Sequence, residues 1–378
     1  MTLDVTHEPP RLIRVSDTEL VARMPDGADV PIHPIWLRER SEAPEAMDRT
    51  TGQRLQDPSD LPLDLSITDI IDLGADRFEV RFSDHHAAVY DSARLAREIA
   101  LPAGDHDLPP VRPWNGDLTD LPRFEWVEDA DAATRRSWVT AFLEFGFVIF
   151  TGVPSTDRSV IRVGQTFGHV RDTNFGDMFN VRSVPNANDL AYTAIELGAH
   201  TDNPYRTPVP GVQLLHCLIN ETTGGLSTLV DGLAVATALR DRDPEAFAAL
   251  TGTPVRFRFQ DPVTELVASA PPIELDVTGA IRGIHMSPRL DFVPLMAKER
   301  LDAYYRARKV FDHMLRDPAF EIRFLLEDGD LVMFDNVRLL HGRTSFDPAE
   351  GLRHLQGCYI DIDGPRSLYR VLRRSSAH

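Results

Sequence analysis

The sequence has few cysteines. Among its 378 residues there are two, Cys217 and Cys358, and both lie in apolar segments with the character of strands. Cysteines in such settings are typical of small core residues rather than of a disulfide or a metal site. This usage favours a reducing compartment, and we expect a cytoplasmic protein.

Long apolar runs and an excess of basic residues are also missing. No uninterrupted apolar stretch approaches the ~20 residues of a membrane-spanning helix. Residues 1–11 are polar and contain prolines, unlike a secretory signal. Lys and Arg number 40 against 58 Asp and Glu, which gives a formal net charge of −18. Such an acidic chain disfavours nucleic acid or an anionic membrane as a partner.

The length and the hydrophobic patterning predict two domains. Residues 19–24 and 77–82 alternate polar and apolar side chains, as half-buried strands do. We therefore expect a small β-rich N-terminal domain over residues 1–97 and a larger domain over residues 98–378. In the larger domain the pattern predicts many short strands, with helices at residues 131–145, 233–250 and 295–316. This composition is mainly β with flanking helices and fits a double-sheet jelly roll, also called a double-stranded β-helix.

The strongest chemical pattern is His200-Thr201-Asp202, with His341 far downstream. Residues two apart in a strand point to the same side, so His200 and Asp202 can reach one metal ion. A second imidazole from His341 would complete the two-histidine, one-carboxylate set of non-haem Fe(II) oxygenases, which leaves coordination positions open. Arg353 follows and could hold a carboxylate through two parallel hydrogen bonds. Taken alone, the His200 motif fits a structural histidine beside a loop aspartate equally well.

The motifs around these residues resemble those of a known family, the γ-butyrobetaine hydroxylase-like branch of the Fe(II)/2-oxoglutarate dioxygenases (TauD/TfdA-like). In the larger domain the matching residues are Ala191-Tyr192-Thr193, His200-Thr201-Asp202, Gly211-Val212-Gln213-Leu214-Leu215-His216-Cys217, Phe334-Asp335-Asn336, Leu340-His341-Gly342-Arg343 and Gly357-Cys358-Tyr359-Ile360-Asp361. In the N-terminal domain they are Ile35-Trp36-Leu37-Arg38-Glu39-Arg40 and Phe82-Ser83-Asp84-His85-His86. The resemblance implies Fe(II) bound by His200, Asp202 and His341, 2-oxoglutarate bound by Arg353 and Ser227, O2 as co-substrate, and a homodimer.

The same resemblance raises the question of zinc in the N-terminal domain. Many members of the family bind zinc there through three cysteines and a later histidine. The corresponding residues 41–46 contain no cysteine, although His86 is retained. Because a structural zinc needs four ligands, we expect none in this protein.

Four aromatic residues match the box that family members build around a quaternary ammonium: Phe175, Phe179, Tyr192 and Tyr359. A trimethylammonium group has no N–H to donate and is best held by the faces of aromatic rings. The alternative is an ordinary apolar face, since Phe175 and Phe179 are four residues apart.

The residues expected at the other end of the substrate depart from the γ-butyrobetaine pattern. The altered positions are Asp189, Asn203 and His285, and Arg206 and Arg289 add positive charge. A phosphonate has more charge and more acceptor oxygens than a carboxylate, so it favours more donors. The changes resemble a branch that hydroxylates 2-(trimethylammonio)ethylphosphonate beside its phosphorus. In the alternative interpretation, the arginines are solvated surface groups and His285 is a core histidine.

Four functions are therefore weighed. The favoured one is hydroxylation of the trimethylammonium phosphonate, and the second is a γ-butyrobetaine hydroxylase that makes carnitine. Trimethyllysine hydroxylation is a further possibility, but no site for an α-amino acid is evident. A metal-binding jelly roll without catalysis belongs to another class, and Arg353 argues against it because metal binding alone needs no carboxylate clamp.

Overall fold

The computed structural model describes residues 10–100, 107–182 and 195–375. The chain divides into two compact units, Met1–His106 and Asp107–His378. The boundary predicted between residues 97 and 98 falls inside the last helix of the first unit, Ser92–Ala100. Leu95 of this helix is fully buried among the core residues of that unit, so the whole helix belongs to it.

Within residues 10–100, the first unit contains two three-stranded antiparallel sheets and two α-helices. Its elements are β1 (Arg11–Ser16), β2 (Glu19–Arg23), β3 (Asp29–Pro31), α1 (Pro34–Arg38), a 3-10 helix (Pro58–Asp60), β4 (Ile67–Gly74), β5 (Arg77–Phe82), β6 (Ala87–Asp91) and α2 (Ser92–Ala100). Alternating residues of β5 point inward, and Val80 is completely buried. The unit is thus held by an apolar core, as period-two patterning requires.

His86 of the first unit lies beside two polar side chains, those of Ser41 and Glu45. Its Nε2 lies 2.8 Å from the hydroxyl of Ser41, and its Nδ1 lies 3.4 Å from a carboxylate oxygen of Glu45. Burial lowers the pKa of this imidazole, which favours the neutral form. One imidazole, one hydroxyl and a largely exposed carboxylate do not match the nitrogen and sulfur donors of a structural zinc site.

The second unit is built around two sheets. The six-stranded sheet has the order β7-β8-β19-β11-β21-β9, and the four-stranded sheet has the order β10-β20-β12-β18. Their strands are β7 (Arg123–Glu125), β8 (Phe147–Thr151), β9 (Phe179–Arg182), β10 (Leu197–His200), β11 (Val212–Asn220), β12 (Ser227–Asp231), β18 (Glu321–Phe324), β19 (Leu331–Asp335), β20 (Leu339–Arg343) and β21 (Arg353–Ile360). All pairings are antiparallel except that of β7 with β8. The predicted jelly roll is confirmed.

Smaller sheets and helices flank these two sheets. They are α3 (Ala132–Phe145), α4 (Ser159–Phe167), α5 (Gly232–Arg242), α6 (Pro244–Thr251), β13 (Val255–Gln260), β14 (Glu265–Ala270), β15 (Ile273–Leu275), β16 (Ile281–Ile284), β17 (Asp291–Phe292), α7 (Lys298–Leu315) and α8 (Asp363–Ser375). The helix predicted over residues 233–250 is two helices, because Pro244 and the capping side chain of Asp243 start a new one. None of the described helices is long and apolar enough to span a membrane.

The apolar core of the second unit includes a cluster contributed by both sheets. Phe147 and Phe334 come from the six-stranded sheet, and Leu229 and Leu339 come from the four-stranded sheet. Cys217 belongs to this cluster, and Cys358 lies in the cluster beneath α3 and α4. Both cysteines are buried and free, as expected of small core residues.

A buried ion pair fixes the start of β20. Arg338 donates two hydrogen bonds to the carboxylate of Asp231, with N–O distances of 3.2 and 2.7 Å. It also donates to the carbonyl oxygens of Glu144 and Arg112. The Asp231 side chain is fully buried. A buried guanidinium is tolerated when its donors are used in this way, and the network ties the start of β20 to the end of β12 and to the end of α3.

His216 on β11 predicts a dependence of stability on pH. The side chain is completely buried, and burial lowers its pKa from 6.5 to about 4. The folded protein therefore holds His216 neutral, while the unfolded chain takes up a proton below about pH 6.5. The free energy of unfolding should fall as the pH drops from 6.5 toward 4, by about 3 kcal/mol from this residue.

Urea unfolding of the full chain at several pH values measures this contribution. His216→Leu and His216→Gln both remove the titrating group, and the second keeps the side chain polar. Each variant should lose less stability than the wild type over this pH range. If both variants lose as much unfolding free energy as the wild type over this pH range, His216 is not the titrating group.

Candidate metal centre and substrate cavity

The pairing of β10 with β20 brings the two predicted histidines together. His200 and His341 are register partners, and their ring centroids lie 4.3 Å apart. Asp202 follows the end of β10 and directs its carboxylate at both rings, with Oδ1 3.4 Å from His200 Nε2 and Oδ2 3.9 Å from His341 Nε2. One ligand atom from each residue lies within 4.8 Å of the others.

Further contacts fix the orientation of these groups. His200 Nδ1 lies 2.9 Å from the carbonyl oxygen of Gly198. A proton on that nitrogen leaves Nε2 with the lone pair that a metal requires. The main chain of Asp202 is held by the side-chain amide of Asn336, which accepts from its N–H at 2.8 Å and donates to its carbonyl at 2.9 Å. The Tyr359 hydroxyl donates to Asp202 Oδ2 at 2.8 Å.

The protonation states suit metal binding. Burial lowers the pKa of His341 to about 3, so its imidazole is neutral. Burial by itself would raise the pKa of Asp202, but His341, His200 and the Tyr359 hydroxyl favour the carboxylate and hold its pKa below the ordinary value. Burial and the nearby Asp202 raise the pKa of Tyr359 well above its ordinary value, which keeps the phenol a hydrogen-bond donor.

The donor set fits Fe(II). Two neutral imidazoles and one carboxylate on one side of an ion are the ligands of the non-haem Fe(II) oxygenases. Within residues 10–100, 107–182 and 195–375, this is the single group of three or more such side chains close enough to share a metal. It consists of the three ligands that the sequence predicted.

The triad lines a cavity of about 460 Å³ between the sheets. The other lining residues are Phe175, Phe179, Val181, Leu197, Asn203, Tyr205, Gln213, Leu215, Ser227, Phe259, Gln260, Ser287, Arg289, Leu290, Gly342, Arg343, Arg353, Leu355 and Tyr359. The wall therefore combines aromatic rings, neutral amides and three guanidinium groups. This is the composition of a site for small, charged organic molecules.

Arg353 and Arg343 make one part of the cavity strongly cationic. Arg353 is 8% exposed, and its one hydrogen bond within the described residues is a 3.3 Å contact with the carbonyl oxygen of Gly225. A side chain at Gly225 would place Cβ 2.8 Å from Arg353 Nε, so glycine makes room for the guanidinium there. Burial and the charge of Arg353 lower the pKa of Arg343 to about 10. Two buried cations side by side favour an anionic ligand.

Aromatic rings line the cavity in two groups. Phe179 stacks on Tyr359 with ring centroids 5.2 Å apart, next to the triad. Phe259 stacks on Tyr205 at 5.2 Å and meets Phe175 edge-on at 5.5 Å. Three of the four predicted cage residues thus line the cavity. The fourth, Tyr192, lies outside the described residues.

Of the residues predicted to hold the anionic end of the substrate, some line the cavity and others do not. Asn203 and Arg289 line the cavity. Arg206 and His285 are absent from its lining: Arg206 donates to Asn174, and buried His285 lies 2.8 Å from Glu274. A carboxylate partner on another strand satisfies His285, as its structural interpretation required. Asp189 lies outside the described residues.

The sequence prediction missed Tyr205, Phe259 and Gln260. Phe259 and Gln260 come from the end of β13, which pairs with β14 and β17 outside the two main sheets. Alternating aromatic residues of β13 signal a strand but do not indicate which cavity it reaches. Tyr205 could have been found from the sequence, because it comes soon after the predicted ligand Asp202. In the structure its hydroxyl donates to Asn203.

Comparison with known proteins identifies the family. A model of the taurine catabolism dioxygenase TauD, TfdA family matches residues 110–359. The chain belongs to this family. The gamma-butyrobetaine dioxygenase of Pseudomonas sp. (strain AK-1) is 37% identical over 357 residues, which cover 92% of each chain. The human gamma-butyrobetaine dioxygenase is 34% identical over 291 residues, covering 75% of this chain and 72% of the human one.

A solved structure supports the fold. A taurine dioxygenase from Burkholderia xenovorans superposes with a TM-score of 0.50 at 17% identity, covering 69% of this chain and 98% of the other. Family membership and the triad together make this TauD/TfdA protein an Fe(II)- and 2-oxoglutarate-dependent dioxygenase. The interpretation as a non-catalytic metal-binding jelly roll is therefore set aside.

Removal of one ligand should abolish metal binding to this TauD/TfdA dioxygenase. Loss of an outer partner of a ligand costs about 10–100-fold in metal affinity, so His341→Ala should cost more than that. Mn(II) titration calorimetry on the full chain measures the affinity without oxygen chemistry. His354→Ala is the matched control, because His354 bonds to Asn180 away from the triad. Equal Mn(II) affinity in the two variants would contradict the assignment.

Proposed function

We propose that this enzyme hydroxylates a small substrate with a trimethylammonium group at one end and an anionic group at the other. The favoured substrate is 2-(trimethylammonio)ethylphosphonate, hydroxylated at the carbon next to phosphorus. The observation that carries the proposal is one cavity in which aromatic rings and Arg289 both adjoin the iron triad. The names of the relatives support a trimethylammonium substrate, since they include gamma-butyrobetaine and trimethyllysine dioxygenases.

In this proposal the co-substrate occupies the cationic part of the cavity. Arg353 binds the distal carboxylate of 2-oxoglutarate through its planar fork of donors, and Ser227 on β12 contributes its hydroxyl. The support is the burial of Arg353, the absence of a carboxylate partner for it among the described residues, and its place in the same cavity as the triad. When bound, iron and 2-oxoglutarate supply the chemistry, in which O2 oxidises 2-oxoglutarate to succinate and CO2 and hydroxylates a substrate C–H bond.

The protein positions the substrate. The stacked rings of Phe179 and Tyr359 offer their faces to the ammonium group, which has no N–H to donate. Arg289 attracts the opposite end of the substrate, and Asn203 and Ser287 add neutral donors nearby in the lining. Holding both ends presents one methylene to the metal and restricts its motion, which is the contribution the protein makes to the rate.

The two candidate substrates differ in their anionic group, so the residues that would hold this group distinguish them. Arg289 with several neutral donors suits the three oxygens of a phosphonate. The γ-butyrobetaine alternative, which would yield carnitine, is supported by the 37% identity to a gamma-butyrobetaine dioxygenase over 92% of both chains. His285 and Arg206 add no support to the phosphonate, since both are absent from the cavity lining.

We also propose that the enzyme acts in the cytoplasm as a homodimer. The buried free cysteines suit a reducing compartment. The dimer rests on the family resemblance alone. Gel filtration with light scattering on the full chain measures the assembly state.

Arg353→Ala should weaken 2-oxoglutarate binding by roughly 30-fold or more, because a buried charge-assisted pair contributes at least ~2 kcal/mol. Calorimetry of the Mn(II)-loaded protein under anaerobic conditions measures the dissociation constant. Arg323→Ala is the control, since Arg323 lies on an exposed face of β18 and pairs with Glu321. Unchanged affinity in Arg353→Ala would assign the co-substrate to another arginine.

Product analysis tests the substrate. The enzyme is incubated in air with Fe(II), 2-oxoglutarate and either the phosphonate or γ-butyrobetaine, and the masses of the products are measured by mass spectrometry. The expected result is addition of one oxygen atom to the phosphonate with succinate formed in step. Oxygen addition to γ-butyrobetaine alone would overturn the phosphonate and establish the carnitine reaction.

Arg289→Gln should lower kcat/KM for the preferred substrate by roughly tenfold or more, since a charge-assisted contact is replaced by a neutral one. Arg206→Gln is the matched control and should keep its activity, because Arg206 is not part of the cavity lining. An equal loss in both variants would remove Arg289 from the anionic end.

A further inference from the structure

The main chain of Asp202 is held in place by hydrogen bonds to a neighbouring side chain. Asn336, completely buried at the end of β19, accepts from the N–H of Asp202 and donates to its carbonyl oxygen. The same amide nitrogen donates to the carbonyl of Pro210 at 3.0 Å, which fixes the amide itself. With the backbone held in this way, rotation of the side chain is the remaining freedom of this metal ligand.

That rotation is restrained by Tyr359. Its hydroxyl lies 2.8 Å from Asp202 Oδ2, the shortest polar contact to this carboxylate among the described residues. The two imidazole nitrogens lie farther away, at 3.4 and 3.9 Å. An ionised carboxylate has about four lone-pair sites. One oxygen can therefore bind a metal while the other accepts from Tyr359.

The ring of Tyr359 faces the cavity and stacks on Phe179. The side chain is 4% exposed, so its position is set by packing. Gly357 permits this arrangement, since a Cβ there would lie 2.4 Å from the ring of Phe179. One residue thus lines the substrate cavity with its ring and contacts a metal ligand with its hydroxyl.

We propose that Tyr359 is a positioning residue with two separable parts. The hydroxyl orients the Asp202 carboxylate for the metal, and the ring forms a wall of the ammonium site. The second part rests on the proposed function, whereas the first rests only on the iron triad. Outer partners of metal ligands govern metal affinity in this way, and their loss costs about 10–100-fold.

Tyr359→Phe separates the two parts, because it removes the hydroxyl and keeps the ring. Mn(II) titration calorimetry on the full-length protein should show metal affinity reduced by about 10–100-fold. Binding of the phosphonate and of γ-butyrobetaine is then measured with saturating Mn(II) and 2-oxoglutarate. The dissociation constant of whichever compound binds the wild type should change by less than about threefold.

Phe179→Leu is the matched variant with the opposite expectation. It removes the stacked ring and leaves the hydroxyl on Asp202, so Mn(II) affinity should match the wild type. Substrate binding should weaken by roughly 3–30-fold, the equivalent of one cation–π contact. The absorption spectrum of bound Co(II) gives a second signature, which should change in Tyr359→Phe and not in Phe179→Leu.

Mn(II) affinity within threefold of the wild type in Tyr359→Phe would overturn the proposal. A lower melting temperature of the metal-free variant, with metal and substrate binding weakened alike, would assign Tyr359 a structural role and also overturn it. Failure of both trial substrates to bind the wild type would count against the proposed function alone. The metal titrations need no substrate and would still test the hydroxyl.

Discussion

The site depends on the antiparallel pairing of β10 with β20. This pairing sets His200 opposite His341 and leaves Asp202 just beyond the strand end, within reach of both rings. The buried pair of Arg338 with Asp231 holds the chain where β20 begins. A shift of one residue in this register would turn His341 to the other face of the sheet and remove the second imidazole from the triad.

The cavity beside that pairing concentrates positive charge in a chain that is acidic overall. The chain is strongly acidic, with a formal net charge of −18, yet Arg289, Arg343 and Arg353 all line the same cavity. Arg343 and Arg353 are buried, whereas Arg289 is exposed. Buried guanidinium groups in a low-dielectric wall attract anions more strongly than exposed ones do. The cavity is therefore suited to an anionic co-substrate, and its aromatic rings supply the complementary surface for a cation.

The metal ligands are supported from two directions. Asn336, at the end of β19, fixes the backbone after β10, and Tyr359, on β21, contacts the carboxylate from the six-stranded sheet. β19 and β21 both belong to the six-stranded sheet, so that sheet supports a metal ligand that follows a strand of the four-stranded sheet. Within residues 10–100 no group of side chains matches this triad, and His86 contacts the hydroxyl of Ser41.

The sequence by itself determined the triad, the mainly β fold and the absence of cysteine from residues 41–46. Each is expressed locally, in the spacing of His200 and Asp202, the alternation along strands and the composition of residues 41–46. Only the tertiary structure decided which polar residues reach the cavity. In the folded protein His285 contacts Glu274 and stays outside the cavity lining. Phe259, from a separate sheet, lines the cavity. Spacing along one strand predicts a shared face, but contacts between distant strands follow from how whole sheets pack.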